Sequence, residues 1–217
     1  MTMERLGSNR EDFIKTWLTE MPQGIPSMAL FNELQHAIKE RIKLGSEVID
    51  LGNNLRKIMG QQIVFYWYEK DGVILLCAEL EIRPQGLIVD GVAKNPDISG
   101  SPYATDLYSA ILNDSGKAIK LIGDGKMTSD GLQIWKKLLS MGHVIGVYDQ
   151  DHPGQSFTIL SSETDLDRFF SMDDIDFQKY RFVLSESNEM IAETNSYFTT
   201  RRMRELVSIQ TNTNFCE

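Results

Sequence analysis

Between Val92 and Leu112 the chain reads VAKNPDISGSPYATDLYSAIL, and its residue types are those of an anion site. Apolar residues lead to Pro96, a Ser99-Gly100-Ser101-Pro102 turn follows, and an amphipathic helix begins at Tyr103. The first N–H groups of a helix have no internal acceptor, and the aligned peptide dipoles add positive potential where they emerge. A phosphate or pyrophosphate is held at such a place without Lys or Arg. Gly100 allows close backbone approach, and Pro102 suits the first helical position, where its missing N–H costs least. Ser101, Tyr103, Ala104 and Thr105 supply the remaining donors. The same residues also describe an ordinary strand-to-helix turn with a good cap, because a single glycine in a short turn is not a specific motif.

Other reactive residue types are scattered. His36, His143 and His152 do not cluster, Cys77 and Cys216 lie far apart, and no HxxxH or CxxC spacing occurs. No metal site and no disulfide framework is expected. There is no Gly-x-Ser-x-Gly elbow. Gly123-Asp124-Gly125-Lys126 lacks the glycine spacing and the Ser/Thr of a phosphate loop and reads as a turn. Trp135 with Leu132, Leu138 and Leu139 reads as the core stripe of a helix.

A chain of 217 residues, 41% hydrophobic and 9% aromatic, builds one domain with an ordinary core. A net charge of -9 repels phosphate backbones and disfavours general nucleic-acid binding. The polar start MTMERLGSNRED is not a signal peptide. No apolar run approaches the roughly 20 residues of a membrane span. With so little cysteine, a reducing, cytoplasmic setting is expected.

The elements that must position the turn follow from periodicity. Residues 1–60 read as a helical segment packed on a sheet. Phe13, Trp17 and Leu18 form a short stripe, and Leu30, Leu34, Ala37, Ile38 and Ile42 recur at helical spacing behind Ser27. A third helix is expected over Ser46 to Met59, with Val48, Ile49, Leu51, Leu55 and Ile58 as its face, although Gly52 weakens it. Strands follow at 62–69 and 73–82, joined by the hairpin signal Asp71-Gly72, and a third runs from Leu87 to Lys94. Helices over 103–112 and 129–141 then alternate with strands near 118–122 and 143–148. A strand at 157–160, a short helix capped by Ser162 and a last strand over 180–184 complete a core spanning 61–186. Residues 187–217 read as a polar tail with a helix over 197–207. A meander feeding β-α-β-α-β specifies an α/β fold with a mixed sheet, and the crossover should join parallel strands.

This order resembles the GCN5-related N-acetyltransferase (GNAT) superfamily over roughly 60–185. Ala93-Lys94-Asn95-Pro96 matches the end of the family's fourth strand, and Ser99 to Ala104 falls on its Arg/Gln-x-x-Gly-x-Gly/Ala phosphate turn. Gly142 matches the glycine closing a later helix. The resemblance implies a mixed, mostly antiparallel sheet flanked by helices, with extra N-terminal helices here. It implies acetyl-CoA as the carrier, held by Ser99, Gly100, Ser101, Tyr103 and Ala104, with the backbone of Val92 and Ala93 at the thioester carbonyl. The acceptor is then an amine, and Asp90, Glu81 or Glu79 is its base, although carboxylates on strands mostly just face water. The chain departs from the family in three places. Ser99 stands for Arg or Gln, Pro102 for a glycine, and Leu138 for the tyrosine that serves as general acid. Tyr103, Tyr108 and Tyr148 are the substitutes, although buried tyrosines are more often core residues. The departures also fit a catalytically inactive relative that binds a protein partner, similar in character to divergent GNAT-like proteins of bacteriophages and mobile elements.

Overall fold

The computed structural model describes residues 27–83, 86–115, 120–123, 129–149, 158–170 and 180–185. The expected helices around Phe13 and over 197–207, the turn from Asp124, the loop after Asp149 and the side chain of Tyr148 lie outside that description. The described elements are α1 (Ser27–Lys43), β1 (Ile49–Gly52), β2 (Leu55–Met59), β3 (Ile63–Lys70), β4 (Val73–Arg83), β5 (Gly86–Lys94), α2 (Ala104–Asp114), β6 (Leu121–Gly123), α3 (Ser129–Ser140), β7 (Val144–Asp149), β8 (Thr158–Ile159), α4 (Glu163–Asp167) and β9 (Tyr180–Ser185). The nine strands form one sheet in the order β1-β2-β3-β4-β5-β6-β9-β7-β8. Every neighbouring pair is antiparallel except β5 and β6. Among the described residues no helix is long and apolar enough to cross a membrane.

Both faces of the sheet are covered. On one, α2, α3 and α4 bury Leu107, Ile111, Trp135, Leu138 and Leu166 against Val64, Tyr66, Ala78, Leu80 and Val89. On the other, Phe31, Leu34 and Ile38 of α1 pack on Phe65, Trp67, Cys77 and Ala93. This explains the nearly continuous apolar run of β3, in which successive side chains enter opposite cores.

The helix expected over Ser46 to Met59 is instead the β1–β2 hairpin. Asn53 and Asn54 have φ of 51° and 65°, the left-handed pair of a two-residue hairpin turn that asparagine tolerates. Leu55 and Ile58 lie three positions apart, on one side of a helix but on opposite sides of a strand. The structure places Leu55 in the α2-side core and Ile58 in the α1-side core. Five residue pairs between β2 and β3 hold the strand in place.

Two features fix α2 over the sheet. Leu107, Tyr108, Ile111 and Leu112 are buried beneath it. At its C-terminus, Asp114 Oδ2 accepts from Lys57 Nζ at 2.6 Å and from the Tyr66 hydroxyl at 2.7 Å. A carboxylate there opposes the helix dipole, and the lysine ammonium offsets it. Burial, and then the bond to Asp114, hold the Tyr66 phenol well above its ordinary pKa.

Cys77 lies in the α1-side core with its Sγ 3.7 Å from the carbonyl of Ala93, and burial pushes its thiol up to about 12 from 9.0. Folding therefore favours the neutral thiol. That contribution is complete below pH 9.0 and is lost as the pH rises toward about 12. At pH 8 the native protein should leave the Cys77 peptide unalkylated by iodoacetamide, and urea should expose it. Rapid native labelling in a peptide mass map would contradict the burial.

Candidate functional site

Among the described residues the parallel joint between β5 and β6 comprises three pairs. It pairs Leu87 with Leu121, Ile88 with Ile122 and Val89 with Gly123, whereas β5 runs on to Lys94. Past Val89, β5 has no partner on that edge among the described residues. The change occurs at a β-bulge, since β4 pairs Glu79 with Gly91 and Leu80 with Val89, leaving Asp90 as the extra residue. A bulge bends and twists its strand, and it reverses which residues face each helix layer. Before it, Leu87 and Val89 face α2; after it, Gly91 contacts Leu30 and Leu34 of α1. Val92 then packs on the α2-side core and Ala93 in the α1-side core.

The backbone alternates as well. Asn95 donates its N–H to the carbonyl of Leu75 at 2.9 Å, across the β4 edge. Alternate residues of an antiparallel strand turn their N–H and C=O groups to opposite edges. Ala93 therefore faces β4, and Val92 and Lys94 turn their backbone groups toward the opposite edge of β5. Val92 and Ala93, expected to act together, thus turn their backbone groups to opposite edges of β5.

The turn beyond is tied at its base by Asn95. Its side chain donates to the carbonyl of Ile74 at 3.1 Å and accepts the N–H of Asp97 at 3.0 Å. Ser99, Gly100 and Ser101 are exposed, Gly100 has φ +77°, and a Cβ built on it would meet nothing within 4 Å. Pro102 is not at the first helical position. It is buried, follows a cis peptide bond, and precedes the N-cap Tyr103, so that the helix starts at Ala104. Tyr103 donates its N–H to Asp106 Oδ2 at 2.7 Å. That donor, expected to be free, is occupied by the helix's own carboxylate. The N–H groups of Ala104 and Thr105 find no acceptor among the described residues.

Sequence reasoning missed Lys94 in this site. Its ammonium donates to the carbonyl of Gly100 and lies 4.8 Å from the centroid of the exposed Tyr103 ring. The bulge places it on the α2 side of β5, beside the turn that holds Ser99. The donor set thus suits an anionic group, with an ammonium, two helix-end amides and an open glycine. Pro102 and the engaged Tyr103 amide subtract from it.

The predicted carboxylates come together only in part. Asp90 is exposed on the bulge, opposite the Glu79–Leu80 step. Glu79 is 4% exposed, and Glu81 is held in an ion pair by Arg83. Among the general-acid candidates, Tyr108 is buried edge-on against Trp135, with ring centroids 6.3 Å apart, and Leu138 is wholly buried. Trp135 also packs on Phe182 at 5.7 Å and belongs to the core, as its spacing predicted. His143 Nε2 lies 3.2 Å from Ser109 Oγ, linking the start of β7 to α2. Among the described residues no three His, Cys, Asp or Glu converge as metal ligands.

The chain matches no family model, no curated protein and no solved structure.

Proposed function

We propose that this chain is a GNAT-like, acyl-CoA-dependent N-acyltransferase whose carrier lies in the opening between β5 and β6, with its pyrophosphate at the turn before α2. One observation carries this reading. Among the described residues the parallel pairing of β5 ends at Val89, and the strand runs on to an open glycine turn with a lysine beside it and a helix N-terminus behind it. The β5–α2–β6 crossover with its parallel joint agrees with the element order on which the resemblance rests.

In this proposal the amides of Ala104 and Thr105 and the Lys94 ammonium hold the phosphates. Bound there, the carrier supplies an activated thioester. The Val92 N–H polarises a carbonyl placed in the opening. Asp90, the first residue of β5 beyond the parallel pairing, takes the proton of the acceptor amine. Glu81, neutralised by Arg83, and Glu79, enclosed beneath α1, are poorer bases.

Millimolar acetyl-CoA should raise the melting temperature. A ligand at about 100 times its Kd adds about 2.7 kcal/mol, which is roughly 5–10 °C for a chain of this size. Gly100→Glu should abolish the rise by placing a carboxylate at the turn, and Gly100→Ala, equally strained at φ +77°, should keep it. A flat response in the unmodified protein ends the proposal. A second reading, a GNAT-like protein that binds a partner without catalysis, draws support from the burial of Leu138 where the family's acid stands. It is favoured if acetyl-CoA binds but no amine acceptor yields free thiol.

A further inference from the structure

Ile122 of β6 and Val183 of β9 are 1% and 0% exposed, and Ser185 at the end of β9 is 0% exposed. They lie on the face opposite α2 and α3, because their chain neighbours Leu121 and Leu184 enter the α2-side core. The cluster that Ile122 and Val183 form with Ile88 and Val144 contains strand residues only. Gly146, the β7 partner of Val183, adds no side chain to it. Neighbours across a sheet flank a side chain but leave its top open to water, so exposure near zero requires a further layer of chain above it. Among the described helices only α1 lies on this face, and it packs on β4 and β5.

The course of α1 shows where that layer comes from. Its C-terminal part reaches β3, with the Arg41 guanidinium 5.0 Å from the Phe65 ring, and its N-terminal part stands over β5, where Leu30 and Leu34 approach Gly91. Ser27 thus opens α1 on the side of the sheet where β6 follows β5. Strands lie about 4.8 Å apart, so β7 is roughly 15 Å beyond β5. Residues 19–26 can span roughly 25 Å. Ahead of them Phe13, Ile14, Trp17 and Leu18 fall on one side at helical spacing, with Asp12, Lys15 and Thr19 on the other. We infer that the segment carrying Phe13, Trp17 and Leu18 is the occupant of this face. It seats its apolar side on the Ile122–Val183 strip and continues the helix layer that α1 begins. The strip is then an intramolecular docking surface, closed to a second copy or another protein while the segment is seated.

The test uses the full chain with p-benzoylphenylalanine in place of Trp17, an aromatic side chain large enough to keep the seat filled. After irradiation, peptide mapping should join position 17 to the peptides holding Ile88, Val144 or Val183 within one molecule. The same label in place of Phe198 probes the C-terminal segment as the rival occupant. No link from position 17 to those peptides, whether because position 198 takes them or because the links join two molecules, overturns the seating. Trp17→Ala should lower the melting temperature by about 5–10 °C, and Trp17→Phe by less than half of that. Melting of Trp17→Ala at the temperature of the unmodified chain overturns it equally.

Discussion

Replacing Gly86 by alanine is expected to cost about 3–5 kcal/mol, a large part of the stability of a single domain. Gly86 opens β5 with φ +146°, a conformation nearly confined to glycine. A Cβ there would stand 2.5 Å from the carbonyl oxygen of Lys120 and 3.3 Å from its carbonyl carbon. That oxygen accepts the N–H of Leu87 at 2.9 Å, so the obstruction is backbone already held in the β5–β6 joint and cannot swing aside. Among the described residues the joint comprises three pairs, and losing its first contact loosens the parallel connection. Gly72→Ala is the control. Its φ is +78°, but its Cβ would meet nothing within 4 Å, so only backbone strain of about 1 kcal/mol is expected. Urea midpoints followed by circular dichroism separate the two. Equal losses would mean that β5 does not approach Lys120 so closely.

The second large effect lies at the other end of α2. Asp114→Ala should cost about 2–4 kcal/mol, because it leaves a largely buried ammonium and a buried hydroxyl without their shared acceptor. The side chains of Lys57 and Asp114 are each only 16% exposed, so solvent replaces little of what is lost. Lys57→Met restores part of the loss when added to Asp114→Ala, since an apolar stem of similar size tolerates the site. Tyr66→Phe alone should cost about 1 kcal/mol, the usual net value of one hydrogen bond. A double-mutant cycle reads the coupling directly. Additive losses for Lys57 and Asp114 would show that the contact does not anchor the helix. If the anchor fails, the N-terminus of α2 should shift too, and Asp114→Ala should weaken acetyl-CoA binding although it lies at the far end of the helix.

Much of the site's scaffold was legible in local residue choices, and its electrostatics were not. The Ser-Gly-Ser-Pro turn, the helix behind it and the strand before it lie where periodicity and turn chemistry placed them. The identity of Lys94 and Asp106 as the charges flanking the turn was invisible. One is a strand residue whose face depends on a bulge at Asp90, and the other looked like an ordinary first-turn acid. The opposite edges to which Val92 and Ala93 turn their backbone groups had the same origin, since edge polarity alternates residue by residue and is fixed only by which neighbour the strand pairs with.

By itself the sequence determined the elements whose conformation neighbouring residues dictate. Helix α1 follows from its 3.6-residue spacing, and the β3–β4 hairpin from Asp71-Gly72, with φ of 52° and 78°. The alternation of strands and helices sufficed for a mixed α/β class. Only the tertiary structure decided that Leu55 to Met59 is a strand and that β9 inserts between β6 and β7. Local preference is a property of a few adjacent dihedrals. The choice of a strand's partner, and of the face it buries, is settled by which distant apolar surfaces and unpaired backbone groups meet when the sheet closes.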